Sequence, residues 1–178
     1  MFSSRHRRIA AAIALVIASP ALQGGVGARQ NFEERLLAAH NRERAALGVP
    51  PLKWDETLAR SARDWARHLA RSGRFEHSPD SPWWAEPEGE NLWGGTVGYY
   101  QPESMVGLWA AEKRDYKPGV FPNNSRSGAV ENVSHYTQLV WARTGTVGCA
   151  LEPGPKEDVL VCRYTQAGNV LGEKPVES

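Results

Sequence analysis

The chain has 178 residues, 21 Lys and Arg against 20 Asp and Glu, and a formal net charge of +1. This near-neutral balance is not typical of a protein that binds nucleic acid or a polyanionic surface, so we expect no nucleic-acid partner. Beyond the N-terminus, no apolar run reaches the length of a membrane helix, which predicts a mature protein that is not an integral membrane protein.

The N-terminus has the pattern of a secretory signal peptide. Basic residues within positions 5–8 precede an apolar run at 9–19, which is short for a membrane span, and small residues follow. We expect a signal peptide at residues 1–21, cut after Ala21 or as late as Ala28, with an uncleaved N-terminal anchor as the alternative. The protein is then secreted, to the extracellular space or the periplasm.

Two helices are predicted next. The first spans residues 31–47, where Asn31 can cap its start and Gly48 ends it. The second begins after Asp55, ends at Gly73 and carries a single apolar stripe. Its arginines, Arg60, Arg63, Arg67 and Arg71, are interpreted as its solvated face.

The middle of the chain is less regular. Residues 74–78 are read as a short strand, residues 80–89 as a loop, and residues 90–93 as a strand or turn ended by Gly94 and Gly95.

A third helix begins at Pro102, which suits a first turn, and its inward side carries Glu112 in line with apolar residues. An inward carboxylate is costly unless something pairs with it. The long loop 117–129 follows, and then a short helix at 135–141.

Two strands complete the prediction, at residues 146–151 and 158–166, joined by a Gly-Pro turn. They carry Cys149 and Cys162, the two cysteines of the chain. In an exported protein two cysteines indicate one disulfide, and neighbouring strands make a cross-strand bridge plausible; two free buried thiols are the alternative. Together the elements predict one α+β domain over residues 31–175.

The residues alone identify no catalytic motif. HExxH, GxSxG, P-loop and CxxC patterns are all missing from the sequence. The remaining candidates are histidines and carboxylates at the edges of elements: His77, Glu90, Glu112 and His135. They come from four separate segments, so spacing alone does not group them. His40 is interpreted as a core histidine more readily than as a ligand.

Six sequence blocks, in order and covering nearly all of the mature chain, carry a resemblance. They are HNRERAALGVPPLKWDETLARSARDWA (40–66), FEHS (75–78), GENLW (89–93), LWAAE (108–112), HYTQLVWARTGTVGCA (135–150) and VCRYTQAGNVLG (161–172). The chain resembles the CAP superfamily, or SCP/TAPS domain, which includes cysteine-rich secretory proteins, antigen 5 and plant pathogenesis-related 1 proteins.

The resemblance implies a three-layer α-β-α sandwich with a central antiparallel sheet and a large cleft. It also implies a histidine–glutamate tetrad in that cleft, which maps onto His77, Glu90, Glu112 and His135. The Cys149–Cys162 pair matches a disulfide of the plant members. In some members of the family the two histidines alone bind a divalent cation.

The sequence departs from the family pattern in two blocks. Val133 and Ser134 stand where many members read CG before HYTQ, and RYTQAGN, with Arg163, stands where NYDPPGN is frequent. The cysteine-rich extension that gives cysteine-rich secretory proteins their ion-channel activity is also missing from this sequence, so that activity is not expected.

Three functions remain open. We favour a secreted binding module whose cleft holds a divalent cation, such as Zn²⁺, at a metal site formed by His77, Glu90, Glu112 and His135, and a small ligand, a lipid or sterol, or a protein segment. Two histidine nitrogens and one carboxylate would leave a position for water, with the second carboxylate in the outer shell or acting as a base. A hydrolase is the second, using metal-activated water or Ser78 or Ser134 beside the tetrad histidines. An envelope or defence protein with a purely structural tetrad is the third.

Overall fold

The structure, a computed structural model, describes residues 31–79 and 86–176. The predicted signal peptide lies outside the described residues, as does most of the predicted loop 80–89. The elements follow in the order α1 (Phe32–Ala45), β1 (Lys53–Trp54), α2 (Glu56–Ser72), β2 (Gly89–Thr96), α3 (Pro102–Ala111), α4 (Ser134–Leu139), β3 (Thr146–Pro153) and β4 (Glu157–Thr165). Short 3₁₀ turns, Glu112–Arg114 and Val130–Asn132, lie between α3 and α4.

The two long helices form where the sequence predicts them, but they begin differently. At α2, Asp55 Oδ1 accepts hydrogen bonds from the amides of Thr57 and Leu58 at 2.7 and 3.0 Å, which satisfies two free donors of the first turn. Gly73, with φ of 67°, ends this helix as predicted. The predicted cap at Asn31 is wrong, because its side chain makes no capping hydrogen bond.

The sheet has the strand order β1-β3-β4-β2, with β2, β4 and β3 antiparallel and β1 parallel to β3. The segment 90–93 proves to be the centre of a longer strand, because β2 continues through Gly94 and Gly95 in register with β4. The predicted strand at 74–78 is wrong, since those residues form no regular element.

Helices cover both faces of this sheet. Alternation along β4 directs Val159 and Val161 toward α2, and Leu160 and Tyr164 toward the core shared with α1, α3 and α4. The arrangement confirms the predicted α+β fold with helical layers on either side of a central sheet. Within the part of the chain that the structure describes, none of the helices is long and apolar enough to cross a membrane.

The predicted disulfide is confirmed. Cys149 on β3 and Cys162 on β4 lie directly opposite each other in the antiparallel register, and their sulfurs are bonded. Both side chains are buried in the core on the α1 side of the sheet. The disulfide therefore joins the two central strands of the sheet.

Close packing of α2 on β3 gives a first testable prediction. A Cβ atom on Gly148 would lie 2.2 Å from the Ala59 nitrogen and 2.4 Å from the Asp55 carbonyl oxygen, both of them backbone atoms that cannot rotate away. We expect Gly148→Ala to lower the free energy of unfolding by about 3 kcal/mol. Gly107→Ala is the matched control, because no atom lies within 4 Å of its added Cβ. Equal stabilities of the two variants by urea denaturation would contradict this packing.

Candidate functional site

The structure arranges the four tetrad candidates as two histidine–carboxylate pairs. His77, in the segment that follows α2, pairs with Glu90 at the start of β2. His135, in the first turn of α4, pairs with Glu112 in the 3₁₀ turn after α3. Each pair joins side chains from two elements that are distant in the sequence.

Glu90 is the buried member of the first pair. Its Oε1 accepts hydrogen bonds from His77 Nδ1 at 2.7 Å and from the Ser78 amide at 3.1 Å. Only 7% of the Glu90 side chain is exposed, against 65% of His77. Behind the pair, Arg163 Nη2 lies 3.0 Å from Glu90 Oε2 and Nη1 donates to Glu88 Oε2 at 3.0 Å.

These contacts shift the pKa of both partners. The hydrogen bond to Glu90 raises the pKa of His77 above its ordinary 6.5, against the opposing effect of burial. Burial alone would raise the pKa of Glu90, but the bond from His77, the charge of Arg163 and the Ser78 amide lower it below 4.5. The two shifts favour an ionised Glu90 that accepts a hydrogen bond from His77.

Glu112 has two roles in the second pair. Its Oε1 contacts His135 Nδ1 at 2.6 Å, while Oε2 accepts the backbone amides of His135 and Tyr136, each at 3.0 Å. These amides belong to the first turn of α4, whose own N-cap residue, Val133, provides no side-chain acceptor. Glu112 therefore caps α4 from a different element while it orients the histidine.

The His135 ring and backbone have further supports. The ring stacks on Trp109 with an interplanar angle of 11° and a centroid distance of 6.2 Å. Asn91, the residue after Glu90 on β2, donates its amide to the His135 carbonyl at 3.1 Å and to the Tyr164 hydroxyl at 3.3 Å. Adjacent residues of β2 thus contact both pairs, which links the positions of the two histidines.

Both histidines present the same ring nitrogen. An ionised carboxylate only accepts hydrogen bonds, so Nδ1 carries the proton in each pair and Nε2 has the lone pair when the ring is neutral. Residues 31–79 and 86–176 make no hydrogen bond to either Nε2. The same residues contain no group of three or more His, Cys, Asp or Glu arranged to hold a metal ion.

Comparison with known proteins establishes the family. The model of the cysteine-rich secretory protein family, CAP, matches residues 37–164. The chain belongs to the CAP family. This confirms the resemblance carried by the six sequence blocks.

Relatives that match over most of their length agree with the CAP assignment. The chain is 34% identical over 165 residues to a PR-1 type pathogenesis-related protein of Sambucus nigra, covering 92% of each chain. It is 35% identical over 148 residues to pathogenesis-related protein 1 of Arabidopsis thaliana, covering 82% of this chain and 83% of the relative.

Solved structures show the same fold. The structure of NaASP2 with Zn²⁺ superimposes with a TM-score of 0.68 at 24% identity, covering 84% of this chain and 86% of that one. A hookworm platelet inhibitor gives a TM-score of 0.64 at 20% identity, over 83% and 76% of the two chains.

The other candidates of this CAP domain have different environments. His40 is fully buried, as interpreted from the sequence, with Nδ1 donating to the Leu36 carbonyl and Nε2 accepting from the Tyr164 hydroxyl. Burial lowers the pKa of His40 to about 4, which keeps the ring neutral. Neither Ser78 nor Ser134 has a hydroxyl bonded to a histidine in the described part of the chain.

Sequence reasoning missed two polar residues at this site. Asn91 lies inside the GENLW block and Arg163 in a block that departs from the family pattern, yet nothing in either position indicates a contact with the tetrad. The partners of Arg163 are 73 and 75 positions away, so only the antiparallel register of β2 and β4 reveals them.

The first pair predicts a pH-dependent contribution to stability. Because the pKa of His77 is raised, its bond to Glu90 stabilises the fold below about pH 6.5, and this stabilisation is lost as pH rises through the pKa of the folded state. Because the pKa of Glu90 is lowered, its contribution is present above about pH 4.5 and is lost as pH falls through the pKa of the folded state. We expect His77→Asn to lower the Tm of metal-free protein most near pH 5.5 and less at pH 8. The effect stays below about 1 kcal/mol, because His77 is mostly exposed.

The control for this measurement is His68→Asn, since His68 stacks on Trp65 and has no carboxylate partner in the described structure. A loss of Tm that is the same at both pH values for His77→Asn would show that the ion pair does not contribute.

The double role of Glu112 predicts a second result. Glu112→Ala removes the cap of α4 together with the His135 contact, whereas His135→Phe keeps a ring against Trp109 and leaves both backbone bonds in place. In urea denaturation, we expect Glu112→Ala to lower the free energy of unfolding by at least about 1 kcal/mol more than His135→Phe does. If the two variants were equally stable, the capping role would be wrong.

Proposed function

We propose that this CAP protein is an exported binding protein that holds a divalent cation, such as Zn²⁺, through Nε2 of His77 and Nε2 of His135. The observation that carries the proposal is the common orientation of the two pairs, in which each carboxylate engages Nδ1. Metal-binding histidines commonly donate their second ring nitrogen to a carboxylate in this way, which fixes the tautomer and increases ligand basicity.

The donor set fits a borderline cation. Imidazole nitrogens suit zinc and similar divalent ions, and a site with few protein ligands leaves positions for water or another ligand. The two glutamates act from behind the histidines rather than as direct ligands. Glu90 Oε1 and both oxygens of Glu112 already accept hydrogen bonds, and Glu90 Oε2 is buried against Arg163. With two histidine ligands the site is open and exchangeable.

A bound cation would supply a Lewis acid that accepts an electron pair from an oxygen or nitrogen atom of a further ligand. The chain's own residues provide orientation: Glu90 and Glu112 hold the rings, and Trp109 limits rotation of His135. The small ligand, lipid or sterol, or protein segment expected in the cleft stays a prediction. A serine nucleophile has less support, since no serine–histidine hydrogen bond forms among the described residues.

Export is part of the same proposal. The predicted signal peptide supports it, and so does the Cys149–Cys162 disulfide, because such bonds persist in oxidising compartments. Relatives from Sambucus nigra and Arabidopsis thaliana are named as pathogenesis-related proteins, which supports a defence-related role. The NaASP2 structure with Zn²⁺ has the same fold.

Zinc titration tests the proposed site. We expect the metal-free mature protein to bind Zn²⁺ in calorimetry, and His77→Ala or His135→Ala each to weaken binding by about tenfold or more, the size of effect that even an outer-shell change produces. His68→Ala is the matched control, because this exposed histidine on α2 belongs to neither pair. Zinc binding that is unchanged when both tetrad histidines are alanine would reject the assigned ligands.

A further inference from the structure

Arg163 forms a buried bridge behind the exposed histidine of the site. It lies on β4, directly opposite Glu90 in the register with β2, and only 10% of its side chain is exposed. One end of the guanidinium donates to Glu88 Oε2, which also accepts the Ser61 hydroxyl at 3.1 Å. The other end lies against Glu90. The bridge therefore connects the first pair to α2.

The two oxygens of Glu90 have different partners. Oε1 accepts bonds from His77 and the Ser78 amide, whereas Oε2 is buried and accepts no hydrogen bond from the described residues. The Arg163 guanidinium, 3.0 Å away, is an ion-pair partner of Oε2 without hydrogen-bond alignment. A carboxylate this buried is stable in its charged form only beside compensating charge. Arg163 provides that charge.

We propose that Arg163 is a positioning residue for His77: it holds the Glu90 carboxylate turned toward His77 Nδ1, so that Nε2 is the nitrogen presented to a ligand. The inference deepens the proposed cation site and rests on it for the binding readout. It concerns a residue in a block where this chain departs from the frequent family pattern.

Loss of Arg163 alone would combine two opposing effects. Without the bridge, Glu90 is free to turn away, which weakens the histidine as a ligand. Removal of a positive charge near the site strengthens cation binding at the same time. The double variant Glu88→Gln with Arg163→Met separates them, because it deletes the bridge while one negative and one positive charge are lost together. Its net charge equals that of the wild type.

The first measurement is made on the metal-free mature protein. Nitrogen-15 NMR of the imidazoles, at a pH well above the pKa of His77, reports which ring nitrogen carries the proton. We expect the Nδ1–H form of His77 in the wild type and a shift toward the Nε2–H form in the double variant. His135 is the internal control, because its partner Glu112 is untouched, and it should keep the Nδ1–H form.

Two outcomes would overturn the inference. If His77 keeps its Nδ1–H form without the bridge, Arg163 does not position it. If His135 changes together with His77, the effect is a general structural one. The conservative variant Arg163→Lys, which keeps a positive charge against Glu90, should retain the Nδ1–H form of His77.

The second measurement is zinc affinity. We expect the double variant to bind Zn²⁺ about tenfold more weakly, as for other outer-shell changes, and to cause no further loss when His77 is already alanine. An equal loss in both backgrounds would contradict a role through His77. If the wild type binds no Zn²⁺, the proposed function fails, while the tautomer of His77 still decides the role of Arg163.

Discussion

The site depends on how α4 is held at its two ends. A helix of six residues is too short to be stable by itself, and it has free amides at its N-terminus and free carbonyls at its C-terminus. The Glu112 carboxylate accepts the amides. The Arg44 guanidinium donates to the carbonyls of Leu139, the last helical residue, and of Trp141, two residues beyond it. Negative and positive charge therefore stand at the ends that the helix dipole favours, and the position of His135 follows from both contacts.

Arg44 explains why α1 matters to a site that it does not line. The residue is fully buried, and burial lowers its pKa to about 10. It donates to four backbone carbonyl groups, those of Pro50, Leu139, Trp141 and Thr144. From the same helix, His40 bonds to the Tyr164 hydroxyl, which accepts from Asn91, and Asn91 also donates to the His135 carbonyl. The HNRER segment thus supports α4 from inside the core, where satisfied polar networks specify one arrangement.

Much of this architecture was predictable because it is local. The apolar stripe and caps of α2 and the strand pair with its cysteines depend on nearby residues. The tetrad members come from four separate segments, and only the family resemblance of their sequence blocks groups them. The predictions failed where tertiary contacts decide. The sequence predicts a strand end at Gly95, yet β2 continues through it in register with β4. The glycine is explained by packing instead, because the rings of Trp93 and Tyr100 occupy the space that a side chain would need. The two-residue β1 has no periodicity to detect, and the partners of Arg163 come from a different strand.

The two corners of the site differ in rigidity, and this difference follows from the packing. His135 lies on a helix held at both ends and stacks against Trp109, so its ring has little freedom. His77 lies in a segment without regular structure and is mostly exposed, so among the described side chains its direction depends on Glu90 alone. Any ligand that needs both histidines must therefore order the His77 side chain and its segment, and the entropy lost in that ordering limits the ligand's affinity. The Glu88–Arg163–Glu90 bridge reduces this cost, because it fixes in advance the one carboxylate on which His77 relies.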